Sequence, residues 1–440
     1  MLIFILFLAA VFIGIPVCYA FALSGIIYLT QFTSAGTNII ASATFSGLDS
    51  FSILAIPFFM LAGDIMKDGG VSKRLVDFFK MISGKSVSSL GTVTVVACTF
   101  FGAISGSGMA TVAAIGGIMI PQMVKDGYKK EYATALSSAS GYIGGIIPPS
   151  IAMVVLCLQV SSLSIGKLFL CGVGPGLIIA LIFIIFNKFM CKSYRADEAE
   201  IIDAYGGVEQ MELERKKDSE RSKGSIIVQG IPALLMPVII LGGIYSGIFS
   251  ATEAAVVSVV YGIIVSVFIF RDLKLKELPD MFYRSALSSG SCLFIYAFAC
   301  IMGKILTLQD IPSSMATAVL GLTSHKILII LLVNIVMLLA GMVMDMLVCV
   351  ILLAPVMMPI GIGLGFDAYQ WAIMLVLNSS IGLITPPMAM NLFVGSKTAN
   401  VPVSKLTKPI LPFVAASLIA LVLVILFPWL STGIPSILGY

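Results

Sequence analysis

One motif occurs twice in this chain, as Gly144-Gly145-Ile146-Ile147-Pro148-Pro149-Ser150 and, 238 residues later, as Gly382-Leu383-Ile384-Thr385-Pro386-Pro387-Met388. At this offset eight residues between 119 and 149 are identical to their counterparts, and both proline pairs interrupt apolar segments. Proline breaks helices because it removes a backbone donor. Irregular backbone within a membrane is tolerated only where protein buries it or water reaches it. Paired interruptions in two halves of a membrane protein therefore indicate a transporter's binding site.

The composition indicates a membrane protein. The chain has 440 residues, of which 59% are hydrophobic and 11% charged, and its mean hydropathy is +1.09. Several segments exceed the roughly 20 apolar residues that a helix needs to cross a bilayer. We therefore predict an all-α polytopic membrane protein. Its apolar N-terminus, from Leu2, is interpreted as a retained membrane segment because it lacks a basic n-region.

The reactive side chains exclude several kinds of site. None of the eight cysteines forms a CxxC pair, so they are interpreted as small buried hydrophobic residues. His325 is the single histidine, which excludes histidine-rich metal sites and argues against Ser-His-Asp catalysis. No nucleotide-binding P-loop is visible. We expect neither an organic cofactor nor a nucleic-acid partner.

Apolar segments give the predicted membrane topology. Ten candidate spans are 2–15, 17–32, 51–66, 131–163, 168–191, 226–249, 254–270, 285–303, 370–395 and 409–430. Two further blocks, 90–124 and 327–359, are longer and have small or polar residues at their centres. Two arms of about 15 residues, each roughly 22 Å long, fit such a block. We therefore predict two re-entrant helical hairpins.

Positive charges orient these segments. Five segments taken as cytoplasmic, 67–89, 125–130, 188–225, 271–284 and 396–408, hold 23 of the 26 Lys and Arg residues. The exceptions are Lys167, Lys304 and Lys326. The two hairpins then enter from opposite faces, so the halves form an inverted-topology repeat, which is typical of alternating access. Both termini are predicted to be external.

These assignments divide the chain into five predicted regions. Among them, only the charged linker 192–225 resembles a segment of a soluble protein. The five regions are 1–89 (scaffold helices and a cytoplasmic amphipathic arm over 68–84), 90–191 (a transport-domain half with the first hairpin and broken helix), 192–225 (a charged cytoplasmic linker), 226–326 (scaffold helices of the second repeat) and 327–440 (a transport-domain half with the second hairpin and broken helix).

The first half supplies two candidate ligand segments. The hairpin tip Gly102–Gly108 combines glycines, which permit tight turns, with serine hydroxyls. The alternative for this tip is close packing of small residues between helices. At the break, Pro148 and Pro149 free upstream carbonyl oxygens, which are natural ligands for a hard cation. The alternative there is a simple helix kink.

The second half contains the acidic candidate. Asp345 lies at the predicted hairpin tip, where a carboxylate costs roughly 2.5–3.5 kcal/mol on insertion scales. It could contact a cation, orient a substrate or be satisfied locally. Thr385 replaces Ile147 of the first copy, and Asn378 and Asn391 lie nearby, so the halves do not offer identical ligands. Glu253, after Ser250-Ala251-Thr252, is interpreted as part of a helix N-cap.

Five motifs together resemble the large membrane subunit (M-type permease) of tripartite ATP-independent periplasmic (TRAP) transporters, in the ion-transporter superfamily. They are Ile104–Thr111, Ile146–Ser150, Ser250–Ala255, Gly341–Asp345 and Leu383–Pro387. The resemblance covers nearly the whole chain, although the loop 196–223 departs from it by being longer and more charged.

This resemblance implies an elevator-type transporter of the bacterial inner membrane that couples Na⁺ to uptake of an organic acid, such as a C4-dicarboxylate or sialic acid. It implies contact with membrane lipid. It also implies two protein partners, namely a small four-helix membrane subunit and a periplasmic substrate-binding protein. By motif position the implied substrate-binding residues are Ser105, Ser150 and Asp345. The implied Na⁺-site residues, mostly through backbone oxygens, are Ser107, Gly144, Pro148, Met344 and Thr385.

Two alternatives remain at this point. One is an ion-coupled anion transporter of the same superfamily that needs no binding protein. The other is an intramembrane aspartyl protease, which requires two facing aspartates, whereas only Asp345 lies deep in an apolar block. The sequence names neither the substrate nor the oligomeric state.

Overall fold

A computed structural model describes residues 2–33, 36–84, 86–212, 223–323 and 325–439. Lys85 and residues 213–222, which belong to predicted cytoplasmic segments, lie outside these ranges. Across the described ranges the chain is helical, apart from turns and one isolated antiparallel bridge between Tyr128 and Arg195. Eight of the described helices are long and apolar enough to cross a membrane. The predicted all-α, multi-pass fold is therefore confirmed.

The first half is built from helical segments that range from 4 to 26 residues in length. Its α-helices and shorter helical turns are Leu2–Phe12, Val17–Phe32, Asn38–Leu48, Phe51–Leu54, Ala55–Asp68, Val71–Ile82, Ser89–Ser105, Gly108–Thr111, Val112–Gly116, Gly117–Lys125, Lys130–Gly141, Tyr142–Gly145, Ile151–Gln159, Ile165–Met190, Cys191–Tyr194 and Glu198–Tyr205.

The second half repeats this order with fewer interruptions. Its helices are Lys223–Tyr245, Ala251–Ile263, Ile264–Ile269, Leu275–Glu277, Leu278–Leu308, Ile311–Leu322, Lys326–Val343, Met346–Gly363, Ala368–Gly382, Met390–Ala399, Val403–Leu426 and Trp429–Ile437.

Helix boundaries follow the 238-residue offset of the sequence repeat. Adding 238 to the bounds of Gly108–Lys125 gives the observed bounds of Met346–Gly363. The same shift brings the start of Ile165–Met190 onto the start of Val403–Leu426. The repeat thus extends to the secondary structure, while the opposite membrane orientation of the halves stays a prediction.

In the region predicted to form the scaffold, the observed helices differ from the predicted spans in two places. In the first half Asn38–Leu48 and Phe51–Asp68 are bent by 61°, where the second half has the single 31-residue helix Leu278–Leu308. The predicted span 285–303 is therefore the middle of a longer helix. The first helix, Leu2–Phe12, has 11 residues, so at 1.5 Å per residue it is only about 16 Å long.

Both long apolar blocks form helical hairpins. In the first, the Thr94 hydroxyl lies 3.4 Å from the Met123 sulfur, so residues at the outer ends of the two arms meet. In the second, the Lys326 ammonium donates to the carbonyl oxygen of Leu364 at 3.1 Å and closes the open end. The arms of each block therefore run antiparallel and are joined by a two-residue turn.

The two hairpin turns use different chemistry. Gly106 ends the first arm with a φ of +63°, which glycine adopts without a Cβ penalty. Ser107 then caps the second arm, since its hydroxyl accepts the Ala110 N–H at 3.4 Å. In the second hairpin both turn residues are extended, and Asp345 provides the cap.

Each hairpin tip packs on the break of its own half through a pair of glycines. A Cβ atom placed on Gly102 would lie 2.4 Å from the Cα atom of Gly144. A Cβ atom placed on Gly382 would lie 2.3 Å from the carbonyl carbon of Gly341. Such distances are far below ordinary contact, so backbone meets backbone only because both positions are glycine. These pairs hold the interrupted helices against the tips.

The predicted amphipathic arm is a helix, Val71–Ile82, whose apolar face is covered by protein. Leu75 and Val76 are fully buried. The Phe79 ring lies 4.9 Å from the ring of Phe100 in the first hairpin. A Cβ atom on Gly230 would lie 2.8 Å from the Phe78 ring. The arm therefore connects the scaffold helix Lys223–Tyr245 to the hairpin.

The described part of the predicted linker is docked on the base of the first hairpin. The Lys129 N–H donates to Tyr194 O, and the Ala196 N–H donates to Gly127 O, each at 2.9 Å. The helix Glu198–Tyr205 follows this contact. Residues 191–206 are therefore attached to the first transport-domain half.

The predicted scaffold joins the two halves at both ends. The Thr252 hydroxyl donates to Phe51 O at 3.1 Å, and Arg284 pairs with Asp68 at 3.1 Å. The predicted cap at Ser250 is confirmed as a reciprocal capping box with Glu253.

We expect Gly382→Ala to lower the Tm of the purified protein in detergent. The added Cβ must displace the backbone of Gly341, and such overpacking costs about 1–3 kcal/mol. Gly242→Ala is the matched control because nothing lies within 4 Å of a Cβ at that position. Equal Tm values for the two variants would contradict the role of the glycine pair.

Candidate functional site

Both hairpin tips meet the first break. The Ile151 N–H donates to Gly106 O at 3.4 Å, which ties the first tip to the residue after Ser150. A Cβ atom on Gly145 would lie 2.9 Å from the Met346 side chain, next to Asp345. The substrate-binding residues implied by the sequence, Ser105, Ser150 and Asp345, therefore lie in adjoining segments.

Three oxygen atoms converge at the first hairpin tip. The Thr111 hydroxyl donates to Ser107 O at 2.8 Å. The Ser105 hydroxyl lies 3.1 Å from the Thr111 hydroxyl and 3.4 Å from Ser107 O. We call these three atoms the tip triad. Ser105 and Thr111 are buried, with relative exposures of 2% and 0%, so the triad is shielded from bulk water.

Gly144 packs directly against the oxygen atoms of the tip triad. A Cβ atom there would lie 2.5 Å from the Thr111 hydroxyl oxygen and 3.3 Å from Ser107 O. The glycine therefore keeps the break close to the oxygens. Oxygen ligands of this kind suit a hard cation, so Ser107 and Gly144, two of the implied Na⁺-site residues, fit such a site.

The second hairpin does not reproduce the tip triad. At the 238-residue offset Val343 replaces Ser105 and Cys349 replaces Thr111. The Ser379 hydroxyl donates to the Cys349 sulfur at 3.5 Å. Sulfur is a softer ligand than oxygen, so the second tip offers a different environment for a cation.

Ser150 caps the helix that follows the first break. Its hydroxyl donates to Gly145 O at 2.6 Å and accepts the Met153 N–H at 3.4 Å. The residue is fully buried. These bonds give Ser150 a structural task, and its contact with a substrate stays a prediction.

Asp345 also caps a helix. Its carboxylate accepts the Leu347 N–H at 3.1 Å at the start of Met346–Gly363. At the 238-residue offset it is the counterpart of Ser107, which caps the first hairpin in the same way. The helix that it caps packs against Leu278–Leu308 of the predicted scaffold. The acid therefore has a capping role, and its contact with a substrate or an ion stays a prediction.

The remaining implied Na⁺-site residues are placed at the breaks and the second tip. Pro148 is buried and forms a cis peptide bond with Pro149, as Pro386 does with Pro387. Met344 is buried, and its N–H donates to Ala340 O. The Thr385 hydroxyl donates to Ile381 O at 2.8 Å.

The two breaks differ in exposure. Every residue from 141 to 150 is buried, whereas Pro387 and Met388 in the second break are exposed. The relative exposure of Met388 is 45%. The equivalent segments of the halves are therefore in unlike surroundings in this structure.

Of the buried polar groups near the tips, sequence reasoning noted Asn378 and Asn391 but missed Ser137, Ser138 and Ser140. Within the described residues, five such groups have an oxygen without a hydrogen-bond partner: Ser137, Ser138, Ser140, Asn378 and Asn391. Asn391 also lies beside the first tip, since its side-chain nitrogen is 3.3 Å from a Cβ placed on Gly108. Ser140 and Asn378 occupy equivalent repeat positions, so comparing polar residues across the repeat could have found Ser140.

A family model described as "Tripartite ATP-independent periplasmic transporter, DctM component" matches residues 4–430. The chain belongs to this family. A relative from Rhodobacter capsulatus named C4-dicarboxylate TRAP transporter large permease protein DctM is 33% identical and covers 100% of this chain and 99% of its own length. The chain is thus a large TRAP permease, a multi-pass transporter subunit and not an enzyme.

Other relatives of this TRAP permease have different names. The Vibrio cholerae sialic acid TRAP transporter large permease protein SiaM is 31% identical, with 98% of each chain covered. The isethionate TRAP transporter permease protein DctMQ of Oleidesulfovibrio alaskensis is 36% identical over 94% of this chain. The chain spans 63% of the length of that longer relative.

The fold of this TRAP permease is also similar to that of a solved transporter. The crystal structure of the Alcanivorax borkumensis YdaH transporter matches with a TM-score of 0.64 and 12% identity, covering 98% of this chain and 99% of YdaH. At this identity the likeness concerns the fold alone.

Replacement of Asp345 can separate its capping role from a role in transport. Asp345→Asn keeps a good N-cap, so we expect a Tm near that of the wild type, whereas Asp345→Ala loses about 1 kcal/mol of stability. If the carboxylate itself takes part in transport, both variants lose uptake. Normal uptake by Asp345→Asn would show that capping alone accounts for the residue.

Proposed function

We propose that this permease performs Na⁺-coupled secondary uptake of an organic acid across the bacterial inner membrane, with the substrate delivered by a periplasmic binding protein. The match of the family model over residues 4–430 carries this proposal. A small four-helix membrane subunit is the second protein partner, and both termini of the permease are periplasmic. A C4-dicarboxylate or sialic acid is the first substrate class to test.

The names of the relatives support an organic anion as the substrate. They include a C4-dicarboxylate, sialic acid and isethionate, which are carboxylates and a sulfonate. The isethionate relative widens the class beyond carboxylates. The shared chemistry is a small, soluble organic anion, whose entry against its gradient requires an energy source.

The tip triad supports Na⁺ as the coupling ion. Two hydroxyl oxygens and one carbonyl oxygen lie within 3.4 Å of one another in a buried setting. A bound cation would offset the negative charge of the substrate within the membrane, where an isolated charge is costly. In this proposal the first Na⁺ site consists of Ser107 and Thr111 together with Ser105, which is moved here from the substrate site that the sequence implied.

The unequal breaks support an elevator mechanism. A moving domain that carries hairpins and broken helices exposes them to one side at a time. The first break is buried while part of the second is exposed, as one of two such states requires. The glycine pairs allow each tip and break to move as one body.

We expect uptake by proteoliposomes that contain the permease and its small subunit to require an inward Na⁺ gradient and the loaded binding protein, without ATP. The measurement is accumulation of radiolabelled succinate, sialic acid or isethionate with the matching binding protein. Collapse of the Na⁺ gradient is the control. Uptake driven by protons alone would contradict Na⁺ coupling.

The same assay decides between the proposal and a stand-alone transporter. Omitting the binding protein should abolish uptake at micromolar substrate. Equal uptake with and without it would favour an ion-coupled anion transporter that takes free substrate.

We expect Thr111→Val to raise the Na⁺ concentration for half-maximal uptake about tenfold, the change for losing roughly one polar contact. Valine keeps the shape of threonine but removes the oxygen of the tip triad. Thr99→Val is the control, because that buried hydroxyl donates to Val95 O in the same hairpin arm and is not part of the tip triad. A Na⁺ dependence equal in both variants would remove Thr111 from the ion site.

A further inference from the structure

A cavity of about 360 Å³ lies beside the helix Leu278–Leu308, within the size range of small-molecule sites. Its lining includes Ser42, Gln159, Lys304 and Pro355. These residues come from two predicted scaffold helices, the end of the first broken helix and the second hairpin. We call this cavity the Lys304 vestibule; it lies between the predicted scaffold and the predicted transport domain.

Lys304 gives the vestibule a positive charge. It is the one charged side chain among the described residues that line the cavity. Within the described part of the chain it has no ion-pair partner, in contrast to Arg284, which pairs with Asp68. A second cavity, of about 430 Å³ beside Ser164 and Phe249, has no charged residue among its described lining. Lys304 therefore gives this cavity a positive charge that the second cavity lacks.

The position of Lys304 along its helix places it at the predicted external face. Residues 285–303 carry no charge, and the 20 residues from Arg284 to Lys304 correspond to about 30 Å of helix, the thickness of the hydrocarbon core. Arg284 lies in a predicted cytoplasmic segment. Lys304 is therefore at the opposite end, on the side from which a substrate arrives.

The second hairpin connects the vestibule to its own tip. Pro355, which lines the vestibule, lies in the arm Met346–Gly363 and follows Asp345 by 10 residues, or about 15 Å of helix. An anion held in the vestibule is therefore about one such length of helix from the second tip. The distance is too long for Lys304 to contact a ligand held at the tips.

Small residues shape the vestibule and bring a second polar group to it. Gly47 lets Asn38–Leu48 pack on Leu278–Leu308, since a Cβ there would lie 2.5 Å from the Cys300 sulfur. A Cβ on Gly303 would lie 3.4 Å from the Gln159 side-chain oxygen, and Gln159 and Lys304 both line the cavity. An ammonium and an amide that line one cavity can bind a carboxylate or a sulfonate.

We propose that the Lys304 vestibule is an external anion-binding antechamber that holds the carboxylate or sulfonate of the substrate before it reaches the hairpin tips. This inference rests on the proposed uptake of organic anions. A lysine that only anchors the helix at the membrane surface would affect insertion or stability, but it would not attract anions to the cavity.

The first test measures uptake kinetics in proteoliposomes with the small subunit and the loaded binding protein. Lys304→Gln should raise KM about five- to tenfold, as expected for losing one partly solvated ion pair, with kcat within about twofold of the wild type. Lys304→Arg should restore KM, and high salt should narrow the difference. Lys167→Gln is the control, because that predicted external lysine lies over the Tyr369 ring outside the vestibule.

The second test probes the charge of the vestibule by chemical labelling and does not require uptake. Ser46, an exposed lining residue, is replaced by cysteine and labelled with anionic or cationic methanethiosulfonate reagents, against the unsubstituted chain as background. The anionic reagent should react preferentially, Lys304→Gln should remove the preference, and succinate or isethionate should slow labelling. This result is independent of the binding protein and of Na⁺ coupling.

The two tests separate failure of the antechamber from failure of the proposed function. Absence of uptake in every condition would contradict the transport proposal, while labelling still tests the vestibule. A labelling rate insensitive to reagent charge would overturn the antechamber. A raised KM without that charge preference would also overturn it, because Lys304 would then act on the binding protein.

Discussion

Burial of interrupted backbone is the constraint on which this structure depends. A helix broken within a membrane exposes carbonyl and amide groups that lipid cannot satisfy. The chain meets this requirement by placing a hairpin tip against each break, with Gly102 on Gly144 and Gly341 on Gly382. The same contacts bring hydroxyl and carbonyl oxygens together at the first tip. The feature that makes the breaks tolerable therefore also creates the candidate ion site.

Equivalent positions of the repeat carry different chemistry. Ser107 and Asp345 cap corresponding helices, but only one of them is charged. Oxygens of the tip triad correspond to Val343 and Cys349 in the second half. A common backbone plan thus supports two unlike environments. The side-chain chemistry differs at the tips while the helix boundaries match.

Sequence alone predicted the parts of the fold that depend on strong, local signals. Proline pairs located the breaks, and the weak centres of two long apolar blocks located the hairpins. The sequence did not reveal the bend between Asn38–Leu48 and Phe51–Asp68, because no proline marks the break at Asp49 and Ser50. Thr111 was missed for a similar reason: its role depends on folding back toward Ser105. The caps of Ser150 and Asp345 depend on side-chain direction, which residue type does not specify.

The docking of residues 191–206 on the hairpin base changes where the chain can be divided. Its contacts, Lys129 with Tyr194 and Gly127 with Ala196, belong to the first half. Two separately expressed polypeptides that end and restart after Met190 would therefore remove a piece of the first unit's own surface. A junction beyond Gly206 would keep that surface intact and leave each fragment with its own hairpin and broken helix.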